Sequence, residues 1–170
     1  MPNHSLLGDF TLARRVVLAA GLGVVAQLGA GTAEATLFRE QQASMFRQQQ
    51  DCLALTMYWE ARGEGRDGMI AVGWTVLNRV RTPGFPGTPC AVVHQGGRRP
   101  PCEFSWWCDG KSDRPREASS WRLAQSLAEQ LLVRPPRDPT RGALWYHNTS
   151  IRRPWQHVRT KRIGHHIFYR

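Results

Sequence analysis

The chain has no H-E-x-x-H run, no other histidine pair at metal-ligand spacing, and no cysteine gap of the C-x-x-C kind. Zinc centres are usually built from such closely spaced donors, so their absence argues against a zinc fold or a zinc hydrolase. There is no internal repeat, and no low-complexity tract beyond a glutamine-rich patch ending at Gln50, so nothing points to a repeat architecture. The clean apolar run, residues 16–28, falls short of the ~20 residues needed to cross a bilayer and has Gln27 near its end. Acidic side chains are scarce: 13 Asp and Glu stand against 23 Lys and Arg, a formal net charge of +10. With a pI near 10.7 this balance implies attraction to a polyanion, and charge alone does not choose which.

What is present is enough for one folded domain. Hydrophobic residues make up 41% of 170, near the usual globular level. Arg14 and Arg15, the apolar run behind them and Ala33-Glu34-Ala35 form the basic, apolar and small-residue parts of a secretory signal. Residues 1–35 are therefore expected to be a signal peptide, with a retained membrane anchor as the alternative. Export would place the protein outside the cytosol, with no stable membrane insertion after cleavage. Cys52, Cys90, Cys102 and Cys108 all lie beyond the signal, and an even count in an oxidising compartment favours disulfides. Cys90 and Cys102 flank one loop and are the preferred first pair.

Residues 36–50 are polar and read as a linker or a loose first helix; residues 51–170 carry the folded domain. Leu53, Met57 and Ala61 recur every four residues and define a helix face, with Gly63 as its expected stop. Asp67 is the expected N-cap of a second helix whose apolar face is Ile70, Val72, Gly73, Val76, Leu77 and Val80, ended by Pro83. A Pro- and Gly-rich stretch follows, then a helix over residues 117–133 with Trp121, Ala124, Leu127, Ala128 and Leu131 as its stripe. Residues 143–147 and 163–169 are short aromatic and β-branched runs, read as a small sheet. Helices first and strands last predict an α+β domain.

The segment richest in chemistry is Tyr58-Trp59-Glu60-Ala61-Arg62-Gly63-Glu64. Glu60 lies beside the apolar stripe, so its carboxyl is turned inward, and a desolvated carboxyl resists ionisation. An acid still protonated near neutral pH suits proton donation to a glycosidic oxygen. The competing reading is a helix-end Glu paired with Arg62 or Arg79. A second cluster, Glu103-Phe104-Ser105-Trp106-Trp107, mixes rings and short polar groups as a sugar groove does, or as a disulfide-pinned loop plugging the core would. In the tail, His165 and His166 would point to opposite faces of a strand, so at most one can face a site.

These residues together resemble the SleB-type cell-wall hydrolases. The matching pieces are Tyr58-Trp59-Glu60-Ala61-Arg62-Gly63-Glu64, Val76-Leu77-Asn78-Arg79, Phe85-Pro86-Gly87-Thr88-Pro89-Cys90, Cys102-Glu103-Phe104-Ser105-Trp106, Cys108-Asp109-Gly110, Tyr146-His147 and Ile163-Gly164-His165-His166-Ile167-Phe168-Tyr169. The resemblance implies a compact lysozyme-like single domain acting on peptidoglycan between N-acetylmuramic acid and N-acetylglucosamine. It implies a lytic transglycosylase in which Glu60 is acid and then base, and it implies no metal or organic cofactor. Glu64 is the first candidate for a second carboxylate, with Asp109 behind it. Glu103, Phe104, Ser105, Trp106, His147 and Tyr169 are the expected substrate contacts. Family members more often carry Gln at the position of Glu103. Peptidoglycan is the expected partner, with no nucleic acid, and a monomer is expected.

Two rival readings stay open. One is a zinc-dependent wall amidase or peptidase using His147, His157, His165 or His166. The other is a non-enzymatic basic module that holds anionic glycans through Arg98-Arg99, Arg152-Arg153 and the tryptophans; no nucleic-acid-binding motif accompanies those arginines.

Overall fold

Glycine at position 73 marks where the helices meet. A methyl group there would lie 2.5 Å from Leu131 Cδ1 and 3.0 Å from Met57 Sδ, so three helices are close enough that only hydrogen fits. These are α1 (Val17–Ala61), α2 (Gly65–Val80) and α5 (Ala118–Val133), with two short helices, α3 (Pro89–Val93) and α4 (Ser105–Cys108), between α2 and α5. The computed structural model describes residues 17–152 and 156–170, with side chains from residue 33 onward. The basic part of the expected signal, Arg14-Arg15, lies outside the described residues, as do Arg153 and Trp155.

The chain divides into two units, Met1–Ser44 and Met45–Arg170. In the first, α1 runs through Ala33-Glu34-Ala35 without a break, and its described side chains, Leu37 and Phe38 among them, are exposed. The stretch expected as a linker or loose helix is thus helical throughout. In the second unit its last residues are tied down: the Cys90 backbone N–H donates to Gln49 Oε1 at 2.9 Å, and Gln50 Nε2 donates to the Gln125 carbonyl at 3.3 Å. Among the described residues no helix is long and apolar enough to cross a membrane.

The second unit is α+β, helices first and sheet last, as the sequence predicts. Leu53, Met57 and Ala61 from α1, Val72 and Val76 from α2, and Ala124, Leu127, Ala128 and Leu131 from α5 fill one core. Each repeats at helical spacing because each belongs to one buried stripe. Trp121, expected in the α5 stripe, packs at the margin and is only partly buried.

The turn between α1 and α2 departs from expectation. Gly63 was the expected left-handed stop, but it lies in a 3-10 turn, Arg62–Glu64, and the left-handed residue is Gly65 at φ +65°. Asp67, the expected N-cap, sits inside the first turn of α2, and Glu64 precedes the helix without capping it. The tight 3-10 turn lets α2 start three residues early; Asp67 still places its charge where the helix dipole favours it.

The sheet is antiparallel in the order β1-β3-β2, from β1 (Trp145–Asn148), β2 (Arg159–Ile163) and β3 (His166–Tyr169). Phe168 on the central strand packs with Ala143 against Ala71 of α2. Strand β2 escaped the sequence reading because Arg-Thr-Lys-Arg-Ile has no alternating apolar pattern; it is a charged edge strand, a common guard against edge-to-edge pairing.

The cysteine pairing also corrects the expectation. Cys52 bonds Cys90, and Cys102 bonds Cys108, rather than Cys90 with Cys102. The reason is packing: α3 brings Cys90 to α1, with Cα atoms 5.2 Å apart, while the short α4 turn folds Cys108 back on Cys102. All four thiols that a zinc site might have used are consumed in disulfides.

Candidate active site

Glu60 belongs to the last turn of α1, and the chemistry around it comes from several other segments. One cavity, of about 220 Å³, is lined by Glu60, Arg79 of α2, Glu103-Phe104-Ser105 at the start of α4, and Trp145 and Tyr146 of β1. A second, of about 350 Å³, is lined by Trp59, Glu60, Arg62, Gly63, Glu64 and Glu117 with Asn148 of β1 and His166 of β3. Glu60 is the one residue the two cavities share. A polymer lying through both would therefore cross the carboxyl.

The Glu60 carboxyl is held above the ordinary carboxylate range, chiefly by burial, while a hydrogen bond from the Tyr146 hydroxyl works the other way and the Glu103 charge adds to the rise. Tyr146 in turn is pushed well above the usual tyrosine value by burial and by the neighbouring Glu60 charge, so its hydroxyl stays a donor. Arg79 is buried, 3% exposed, and forms an ion pair with Glu103 through Nη1. Its Nε donates to the Leu144 carbonyl at 2.7 Å, which fixes the start of β1 against α2. The guanidinium also lies over the rings of Phe85 and Phe104. The Glu103 charge is thus compensated by a buried arginine.

Three of the expected substrate contacts, Glu103, Phe104 and Ser105, are brought to Glu60. Trp106 is turned to a different cavity. His147 and Tyr169 are placed elsewhere: they are buried, bond each other at 2.9 Å (His147 Nε2 to the Tyr169 hydroxyl), and line neither cavity at Glu60. Strand alternation is the cause. Tyr146 meets Glu60, so its neighbour His147 is on the opposite face. Glu64 lines the second cavity, but both its oxygens are engaged, one by the His165 backbone N–H and one by His165 Nδ1, each at 2.9 Å. Those bonds hold its carboxyl below the ordinary range. His166, 6% exposed, has its pKa held below the ordinary histidine value chiefly by burial, and among the described residues its Nδ1 has no hydrogen-bond partner.

Sequence reasoning missed Tyr146 and Asn148 as parts of the site, and named Arg79 only as a possible ion-pair partner of Glu60 and His166 only as a possible zinc ligand. One signal was available. Arg79 follows Val72 and Val76 at helical spacing, so an arginine stood on an apolar stripe and needed a buried partner. Nothing local marked Tyr146 over His147. Among the described residues no group of His, Cys, Asp and Glu has a metal-holding arrangement.

Comparison with known proteins decides the family. The family model described as "Cell Wall Hydrolase" matches residues 63–169. The chain belongs to the cell-wall hydrolase family. It is 32% identical over 120 residues to the spore cortex-lytic enzyme of Halalkalibacterium halodurans and 31% to that of Bacillus subtilis, covering 68% of this chain in each case. The chain spans about a third of the length of these relatives, 33% and 35%. Among solved structures it is similar to the catalytic domain of the Bacillus cereus SleB protein (TM-score 0.54, 28% identity, 72% of this chain and 91% of that one). It is similar also to the catalytic domain of the germination-specific lytic transglycosylase SleB from Bacillus anthracis (TM-score 0.56, 28% identity, 72% and 93%). The domain is thus of the SleB type and classes with the cell-wall-hydrolase enzymes. The family model begins after Glu60, so the residue at the centre of the two cavities is located by geometry rather than by that match.

Proposed function

We propose that this domain cuts the glycan strands of peptidoglycan between N-acetylmuramic acid and N-acetylglucosamine, as a lytic transglycosylase with Glu60 as its single acid and base. The observation that carries the reading is the place of Glu60, a protonation-prone carboxyl at the junction of two cavities. The similarity to the Bacillus anthracis lytic transglycosylase supports it.

In the first step the Glu60 carboxyl donates its proton to the glycosidic oxygen as the bond to muramyl C1 breaks. Tyr146 then stabilises the carboxylate by donating its hydroxyl hydrogen. In the second step Glu60 takes the proton of the muramyl C6 hydroxyl, whose oxygen attacks C1 and closes a 1,6-anhydro ring. Water is neither added nor lost, and Glu60 ends protonated. No nucleophilic carboxylate is needed, unlike the usual two-carboxylate scheme. Glu64, with both oxygens held by His165, is a strut to the β2–β3 turn rather than that second group. The excess of basic side chains would hold the exported protein on the wall through peptide carboxylates, in the periplasm or the wall itself.

The test is a digest of purified peptidoglycan by the wild-type chain and by Glu60→Gln, with fragments read by mass. Anhydromuramyl ends from the wild type, and activity lower by at least about a hundredfold in the variant, are expected. Reducing ends, heavier by one water, would make the enzyme a hydrolase and send the search to a second carboxylate. Equal activity from the variant, or cut peptides, would sink the reading.

A further inference from the structure

A third cavity, of about 240 Å³, shares the walls Trp59, Arg62 and Glu117 with the larger cavity at Glu60. Its remaining walls include Trp106, Asp109, Lys111, Asp113 and Arg116. Charges of both signs line it, whereas the sugar rings of the strand are uncharged and give no reason for such a lining.

Some of these charges are already matched. Arg62 pairs with Glu117 at 3.1 Å, and Lys111 with Asp109 at 3.6 Å. Two are not. Among the described residues the Asp113 carboxylate and the Arg116 guanidinium have neither an ion pair nor a side-chain hydrogen bond. Their backbones, by contrast, are fixed: the Asp113 carbonyl accepts from Trp59 Nε1 at 3.2 Å, and the Arg116 N–H donates to the Tyr58 hydroxyl at 2.9 Å. One anion and one cation are therefore held on a fixed backbone beside the cavity without an ion pair of their own among the described residues, and the Asp113 charge also acts on His94. Among the described residues the Trp106 indole N–H, on a residue only 8% exposed, is also without a hydrogen-bond partner.

We propose that this cavity binds the peptide carried by the muramyl lactyl group, an inference that rests on the glycan-cleavage reading above. That peptide bears carboxylates and, in its diamino acid, an ammonium group. Arg116 would take a carboxylate and Asp113 the ammonium, while Trp59 and Trp106 supply an apolar wall. Because Trp59 and Arg62 border both cavities, a muramyl unit seated at Glu60 has its lactyl arm next to this pocket. The site makes the enzyme selective for strands that still carry peptides.

The experiment is equilibrium binding of the free tetrapeptide L-Ala–D-Glu–meso-diaminopimelate–D-Ala to the wild-type chain, with peptide-free glycan strands as the second probe. Saturable binding of the tetrapeptide is expected, weakened about tenfold by Asp113→Asn combined with Arg116→Gln, and by acetylation of the peptide's side-chain amine. No saturable binding, or equal binding by the double variant, would overturn the proposal. So would tighter binding of peptide-free strands to the wild type than to the double variant without any binding of the tetrapeptide, which would make the cavity a sugar subsite. Neither measurement requires bond cleavage. A failure of Glu60 to cut glycan is therefore seen separately from a failure of this pocket.

Discussion

The Tyr146 hydroxyl donates to the Glu60 carboxyl, joining the last turn of α1 to the first strand of the sheet. That contact stabilises the charged form of the acid, while burial and the Glu103 charge oppose it. The protonation state on which the proposed chemistry depends is set by this balance of three groups.

Two substitutions move the balance in opposite directions. Tyr146→Phe removes the donor, so the Glu60 carboxyl should stay protonated to a higher pH and the alkaline limb of the pH–rate profile should shift upward. Glu103→Gln removes a like charge, so the same limb should shift downward. Profiles of kcat/KM against pH for both variants check the pair. A shift in the same direction for both would mean that another group controls the limb.

Glu60 should cost stability where it is ionised. Its folded pKa lies above the ordinary value of 4.5, so between the two the folded state binds more protons than the unfolded one. Stability is therefore lost as pH rises through that window. Glu60→Gln should raise Tm at neutral pH, and the difference should narrow as pH falls toward about 4.5. Thermal melts across that range read the effect directly.

The two disulfides should separate stability from activity. Cys52–Cys90 closes 38 residues and joins α1 to α3, so replacing both with serine should cost about 4 kcal/mol on the chain-entropy scale. Cys102–Cys108 closes only 6 and should cost about 2 kcal/mol. The second, however, pins the loop carrying Glu103, Phe104 and Ser105. Its loss should depress activity more than the first under conditions where both variants stay folded, as urea unfolding and strand cleavage on the same samples would show.

Glu64 works through the turn it holds. Both its oxygens bond His165, and a side chain at Gly164 would strike it, with a Cβ 3.0 Å from the Glu64 Cδ. Glu64→Ala should raise the hydrogen-exchange rate of the His165 amide and lower activity by about tenfold, well short of the loss at Glu60. A loss as large as that of Glu60→Gln would return Glu64 to the reaction itself.

The sequence alone determined the helices with a long apolar stripe, the α+β order and the inward Glu60, because side chains repeating at a helical period must share one buried face. It also determined that Glu103, Phe104 and Ser105 lie together, since neighbours in a short loop cannot part. Tertiary structure decided the rest. The phase of a four-residue strand is fixed by what it packs against, so only the sheet's seat on α2 made Tyr146 rather than His147 the partner of Glu60. Cysteine pairing followed from α3 docking on α1, a contact between distant segments that no local spacing encodes. Strand β2 has no apolar signal of its own and exists because β3 offers its edge. The partner of Arg79 and the tether on Glu64 were decided in the same way, by groups distant in sequence whose charges or hydrogen bonds had to be satisfied where the fold brought them.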